Sequence, residues 1–229
     1  MENKILVFKK LANIFKKNGY RLYLVGGTVR DYLLNKELAD MDIVTDATPA
    51  EIKQFFTEGE ANYVFERFGA VTIKFEDIKF DLTTLREEKG YLDFRHPNKI
   101  CFVREIAKDY LRRDFSVNAM YLDDELKLYD FANGEVDLQS KKLSFIGNAD
   151  VRIKEDPLRI LRAIRFALSL GFEMDQEMIE AINNNIILLN KLNKDKIKQE
   201  LSKIKNVQED VKFNLFNKFN ITYLLDVLK

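Results

Sequence analysis

Two carboxylates separated by one residue, Asp40 and Asp42 in DMDIVTD, are the groups in this sequence whose spacing points most directly to chemistry. Read as a strand, the segment sends alternate side chains to one face, so both carboxylates point the same way, side by side. Ionised carboxylates that close repel unless a cation lies between them. A hard divalent ion such as Mg2+ accepts oxygen ligands of this kind and keeps positions for phosphate oxygens. Two such ions activate an attacking hydroxyl and neutralise charge on a leaving pyrophosphate, which is phosphoryl-transfer chemistry. Asp81, in the run KFDLTTL, is a candidate third carboxylate on a neighbouring strand. D-x-D pairs also occur on many exposed strands and turns, so the pair does not settle the matter by itself.

Its surroundings narrow the choice. Upstream, YLVGGTVRDYLL reads as a strand ending at Gly26-Gly27 and a helix beginning near Thr28. Glycines let backbone approach a triphosphate, and the free amides of a helix start attract anions. Arg30, in the first turn, adds a charge-assisted contact to phosphate. A plain glycine turn is the simpler alternative; glycine turn, arginine and D-x-D within one short stretch form a stronger set than any one of them.

A second set lies in KEDPLRILRAIRFALSLGF, where a helix is expected to begin at Asp156-Pro157. Leu158, Leu161, Ile164 and Leu168 give it an apolar side, and Asp156, Arg159, Arg162 and Arg165 recur every third residue as a polar stripe. A solvated stripe with an intrahelical Asp–Arg pair is one explanation. The other is base reading: cytosine and adenine each present an amino donor beside a ring-nitrogen acceptor, and aspartate only accepts while arginine only donates. An Asp156–Arg159 pair therefore matches C and A and clashes with U and G, and Arg162 and Arg165 would face the triphosphate. Between the two sets, DYLRRDFSVNAM places Arg112, Arg113 and Asp114 at an expected helix start, where Arg113 would grip phosphate or base and Asp114 a ribose hydroxyl, or where the three simply cap a helix.

The elements that position these groups change character near residue 145. Before it YRLYLV, DMDIVTD, NYVFERF, AVTIKFE, KFDLTTL and KICFV read as strands, and afterwards helical periodicity prevails. We expect an α/β head over residues 1–145 and an all-helical part over residues 146–229 ending in a short helical extension. Thr48-Pro49-Ala50-Glu51 carries an N-cap, a first-turn proline and a capping-box glutamate, so a helix starts just after the strand of Asp42. Near the N-terminus Val7, Leu11, Ile14 and Phe15 fall at helical spacing with lysines between, which favours an amphipathic core helix over a cleavable leader. With 37 basic and 37 acidic residues the chain has no net charge to draw nucleic acid, so RNA contact must be local. One cysteine, Cys101, excludes an internal disulfide; it is expected to be buried in its strand, and a cytoplasmic, soluble protein without membrane association is expected. The single histidine, His96, reads as a surface or RNA-contacting residue rather than a catalytic base.

LVGGTVRDYLL, DMDIVTDATP, FDLTTLREE, LRRDFSVNAM and EDPLRILRAIRFA, in that order, resemble the class II tRNA nucleotidyltransferases and bacterial poly(A) polymerases over residues 21–172. The resemblance implies a polymerase-β-like α+β head, a mixed sheet with helices, followed by an all-helical neck. It also implies template-independent addition of C and A from CTP and ATP to the 3′ end of tRNA, with Mg2+ as cofactor. Carried over residue by residue, Asp40 and Asp42 hold metal with Asp81 as a further catalytic carboxylate. Gly27, Arg30, Arg113, Asp156, Arg159, Arg162 and Arg165 bind nucleotide. Residues 86–111 resemble a flexible loop that favours CCA- or A-adding enzymes over CC-adding ones; A-only addition, poly(A) synthesis and a non-catalytic RNA- or nucleotide-binding module stay open. KIKQELSKI resembles the last neck motif with lysine in place of arginine, and the chain stops soon after it, short of the body and tail that grip tRNA in this family. The lysine-rich residues 191–218 would offer RNA an electrostatic surface or simply be solvated, and NLFNKFNITYLLDVL would cover the neck or form a homo-oligomer contact.

Overall fold

The protein is described here from a computed structural model, which covers residues 1–57, 59–91 and 97–228. The chain divides into two compact units, residues 1–89 with 99–135, and residues 90–98 with 136–229.

The first unit is built on a twisted sheet of short, apolar strands. Helix α1 (Glu2–Lys17) buries Ile5, Phe8, Leu11, Ala12 and Phe15 on one face, as its apolar spacing predicts, and packs beside β1 (Leu22–Val25), which is buried throughout. The chain then forms α2 (Gly27–Leu33), β2 (Asp42–Thr45), α3 (Pro49–Ile52), β3 (Ala61–Asn62), β4 (Ala70–Phe75) and β5 (Ile78–Thr84). β6 (Arg86–Tyr91) and β7 (Pro97–Phe102) make a separate two-stranded sheet; after α4 (Ile106–Asp109), β8 (Tyr121–Leu122) and β9 (Leu128–Tyr129) return to the main one. The seven-stranded order is β3-β4-β5-β2-β1-β8-β9, with β2 and β5 parallel and the other pairs antiparallel. The sheet is mixed, and the fold is α+β.

The capping box before α3 forms in full: Thr48 accepts from the Glu51 amide and Glu51 accepts from the Thr48 amide at 2.7 Å. Other expectations are corrected. Only Ala61–Asn62 of the Asn62 region pairs as strand, because the chain then turns through a 3-10 helix at Glu66–Phe68. Arg86–Tyr91, at the start of the segment that resembles a flexible loop, pairs as β6 despite its charged composition. Cys101 is half-buried rather than buried. His96 lies outside the described residues.

The second unit is mainly helical. After α5 (Gly134–Gln139) come α6 (Ala149–Glu155), α7 (Leu158–Leu170), α8 (Gln176–Asn185), α9 (Lys194–Leu201) and α10 (Glu209–Lys218). It is not all-helical as expected: β10 (Lys142–Leu143) pairs in parallel with β11 (Glu173–Met174), a two-residue match too short to leave a periodicity in sequence. Asn148, Asp175 and Asn193 cap α6, α8 and α9 with their side chains. Ile160, Leu161, Ile164, Met178, Ile182 and Leu201 are buried in this unit. Among the described residues, no helix is long and apolar enough to cross a membrane.

One close approach is absolute. A Cβ on Gly134 would stand 2.3 Å from the Ser116 carbonyl oxygen and 2.9 Å from the Met120 side chain. Gly134→Ala is expected to destabilise the protein by about 2 kcal/mol through overpacking, read as a lower midpoint in urea denaturation; an unchanged midpoint would refute the contact.

Candidate active site

The site begins where β1 leaves the sheet. Gly26 turns the chain with φ 67°, a backbone conformation L side chains rarely adopt, and a Cβ there would lie 3.7 Å from Oδ2 of Asp42. The glycine turn and the D-x-D carboxylate are therefore neighbours. The Thr28 hydroxyl joins them: it accepts the Asp42 amide at 2.8 Å and donates to the Asp40 carbonyl at 3.2 Å. That bridge corrects the strand argument. β2 starts at Asp42, Asp40 sits in the bend before it, and it is a buried threonine, not strand alternation, that holds the two residues in place.

Asp42 is uncomfortable as an anion. Burial, then the charges of Asp40 and Asp81, push its carboxyl up to about 6, while Arg113 and Arg30 pull the other way. Asp81 faces Asp42 in the parallel register of β2 and β5, as the neighbouring-strand expectation required. Its carboxylate is already engaged, accepting from Thr72 Oγ1 at 3.1 Å and pairing with Lys79 at 3.0 Å. Among the described residues no three His, Cys, Asp or Glu side chains make a closed metal cage. Adjacent oxygen donors without a closed cage suit a hard ion that keeps several positions for water and phosphate. By the chemistry of the donor set, Asp40 and Asp42 fit such an ion.

Arg30 is buried, and its guanidinium lies over Gly27, where a Cβ would come within 3.4 Å of Nη2. Asp31 takes its Nε at 2.9 Å and Asn118 its Nη1 at 2.8 Å, so the arginine is held before any ligand arrives. Arg113 does not open a helix: it is extended after a 3-10 turn (Tyr110–Arg112), and Asp114 follows it, accepting from the Phe115 amide. Arg113 donates from Nε and Nη2 to Asp109 at 3.0 and 2.9 Å and from Nε to the Tyr121 hydroxyl at 2.9 Å. Burial works most strongly against its charge, but Asp109 and Tyr121 together outweigh burial and raise its pKa.

In the second unit, Pro157 caps α7 and Asp156 lies before it in extended conformation, accepting from the Leu158 amide at 3.0 Å. The helix thus starts two residues later than Asp156. Arg159 is buried and donates from Nη1 to the Arg152 carbonyl at 2.8 Å and to Glu155 at 2.7 Å. Arg165 donates to Glu200 at 2.6 Å, Arg162 lies 3.8 Å from the same carboxylate, and both guanidinium groups sit over the Phe166 ring. Burial opposes ionisation of Glu200, yet Lys203 and Arg165 hold its carboxyl below the usual range.

Sequence reasoning passed over Thr28, Asn118, Asp109, Glu155 and Glu200. Asp109 had a signal, three and four residues before Arg112 and Arg113 at helical spacing. Glu155 stands four before Arg159 in the same way. Glu200 lies in KIKQELSKI, the stretch that resembles the last neck motif, but its pairing with Arg165, 35 residues away in sequence, left no local pattern.

Residues 22–144 match the model of the family described as the Poly A polymerase head domain. The chain is 38% identical over 201 residues to the CCA-adding enzyme of Listeria innocua serovar 6a, an alignment covering 86% of this chain and 51% of that one. Its structure is similar to that of the Bacillus stearothermophilus CCA-adding enzyme in complex with CTP, with TM-score 0.87 and 27% identity over 96% of this chain and 53% of that one. A tRNA nucleotidyltransferase complexed with a primer tRNA and an incoming ATP analog gives TM-score 0.76 and 28% identity, over 96% of this chain and 62% of that one. The chain thus spans about half the length of the curated relatives it matches.

The raised Asp42 has a measurable consequence. A carboxyl whose folded pKa of about 6 exceeds the ordinary 3.8 favours folding most below pH 3.8, and that contribution is lost as pH rises through 6. In chelator-treated buffer the thermal midpoint of the wild type should fall between about pH 4 and 6 relative to Asp42→Asn. Parallel profiles of the two proteins would refute the assignment.

Proposed function

As the chain belongs to the Poly A polymerase head domain family, we propose that it is a template-independent nucleotidyltransferase that adds C and A, from CTP and ATP, to the 3′ end of tRNA. The observation that carries this reading is Asp42: a half-buried carboxylate crowded by Asp40 and Asp81, set against a glycine turn where backbone and ligand can approach closely. A binding module gains nothing from that repulsion. The likeness to CCA-adding enzymes, one of them bound to CTP, favours tRNA end addition over other phosphoryl transfers.

On this reading Asp40 and Asp42 hold divalent cation, Mg2+ by preference, with Asp81 adding negative charge from the next strand. The ion, when bound, supplies Lewis acidity to the attacking 3′ hydroxyl and screens the leaving pyrophosphate. The protein's own groups bind and orient. Gly27 leaves room for the triphosphate, and Arg30, pinned by Asp31 and Asn118, meets it without reorganising. Arg113 contributes a second fixed guanidinium. Asp156, just before α7, and Arg159, in its first turn, select C and A by presenting an acceptor and a donor, and Glu155 presets the arginine. Arg162 and Arg165, oriented by Glu200, bind phosphate.

The test is to supply tRNA ending before CCA, after C and after CC with CTP or ATP and Mg2+. C followed by A incorporation is expected. A alone on the CC substrate would mean an A-adding enzyme, long A tails on other RNAs a poly(A) polymerase, and nucleotide binding without transfer a non-catalytic module. Asp40→Ala should reduce transfer by at least about 1,000-fold while the folded spectrum persists, since the metal site is lost; retained activity would reject the metal assignment. Arg159→Ala should raise UTP and GTP incorporation relative to CTP by about tenfold or more, the scale of a lost buried hydrogen-bond match. Unchanged selectivity would refute base reading by this residue.

A further inference from the structure

Among the described residues of the first unit, the most fully buried carboxylate is not among the groups assigned above. Asp109, at the end of α4, has no exposed surface. Its Oδ1 accepts the Arg86 amide at 3.0 Å and Arg112 Nε at 2.8 Å. Its Oδ2 accepts Arg113 Nε at 3.0 Å, Arg113 Nη2 at 2.9 Å and the Tyr121 hydroxyl at 2.8 Å. One side chain thus ties the first residue of β6, two consecutive arginines and a strand residue of β8. Burial would raise its carboxyl, but Arg113 and Arg112 hold it below the usual carboxylate range, so it remains an anion.

The geometry at Arg113 is specific. Nε and Nη2 form one edge of the planar guanidinium, and both are directed to the same carboxylate oxygen, which fixes the plane as well as the position of the group. The Tyr121 hydroxyl, donating to Asp109 and accepting from Arg113, locks the arrangement from a third side. Tyr121 is opposite Val25, the strand residue just before the glycine turn, and the Arg113 charge is felt at Asp42. A neutral side chain at position 109 would remove the carboxylate that pairs with Arg113 and weaken the hold on its guanidinium plane.

We propose that Asp109 is the positioning residue for Arg113, fixing the plane and position of its guanidinium so that the triphosphate of the incoming nucleotide meets a preoriented cation. The inference rests on the nucleotidyl-transfer reading above and adds a residue to it. Orientation set in advance lowers the ordering cost of binding, so loss of Asp109 weakens nucleotide affinity more than it slows turnover at saturation.

The experiment measures CTP and ATP binding by calorimetry, together with KM and kcat, for the full chain and for Asp109→Asn, Arg113→Ala and the double variant, each verified as folded by circular dichroism. Asp109→Asn is expected to weaken nucleotide binding and raise KM by about tenfold, with a much smaller change in kcat, as expected when a charge-assisted contact is lost. Arg113→Ala should lose at least as much, and the double variant should lose no more than Arg113→Ala alone. Full additivity of the two losses, or a folded Asp109→Asn with wild-type affinity and lower thermal stability only, overturns the proposal. If Asp109→Asn does not fold, Tyr121→Phe, which removes the third tie and keeps the ring, takes its place: a severalfold rise in KM supports the proposal and an unchanged KM overturns it. A wild-type chain that binds neither nucleotide overturns the nucleotidyl-transfer reading itself, and this inference with it; intact wild-type binding with an indifferent Asp109→Asn overturns only the inference.

Discussion

A half-buried aspartate kept close to two others is the constraint on which the first unit turns. Asp42 is desolvated and faces the charges of Asp40 and Asp81, which makes its anion costly. Ile43 and Val44, the next residues of the strand, are buried and apolar, so the charge stands at the edge of an apolar run. Several local devices hold it nonetheless. Gly26 bends the chain away at positive φ, the Thr28 hydroxyl joins the Asp40 carbonyl to the Asp42 amide, and the β2–β5 register brings Asp81 alongside. Like charge concentrated in this way at one point of the sheet is what the proposed reading assigns to a cation.

The arginines solve the opposite problem in each unit by one means. A guanidinium that must meet a phosphate or base has a long, mobile stem, and its value as a ligand depends on losing that freedom beforehand. Asp31 and Asn118 fix Arg30, Asp109 and Tyr121 fix Arg113, Glu155 and a main-chain carbonyl fix Arg159, and Glu200 fixes Arg165. Buried ion pairs contribute little net stability, because desolvation offsets their attraction. On the proposed reading their use is orientation.

The sequence made the glycine turn, the D-x-D pair, the capping box at Thr48 and the amphipathic α1 legible because each is written in adjacent residues. Asp81 was also within reach, since strand patterning places KFDLTTL beside the first pair. What escaped was long-range or broken by turns. Glu200 cannot be connected with Arg165 from local pattern. The Asn62 region looked like strand by composition but turns into a 3-10 helix at Glu66, and β10 with β11 is too short for any period to register. The strand alternation invoked for Asp40 reached a sound neighbourhood by the wrong route: the bend and Thr28, not the pleat, place that residue. Thr28 and Asn118 stand within LVGGTVRDYLL and LRRDFSVNAM, but their hydrogen-bond partners cannot be read there, since the same residues serve equally in turns and caps.

The central claim is that Asp42 is uncomfortable alone and settled by a divalent cation. Mn2+ binding followed by electron paramagnetic resonance, with and without CTP, tests it directly on the wild type and on Asp42→Asn at pH 7.5. The wild type should bind Mn2+, more tightly with CTP present, and Asp42→Asn, equally folded, should lose that binding. Equal Mn2+ affinity in the two proteins would contradict the claim.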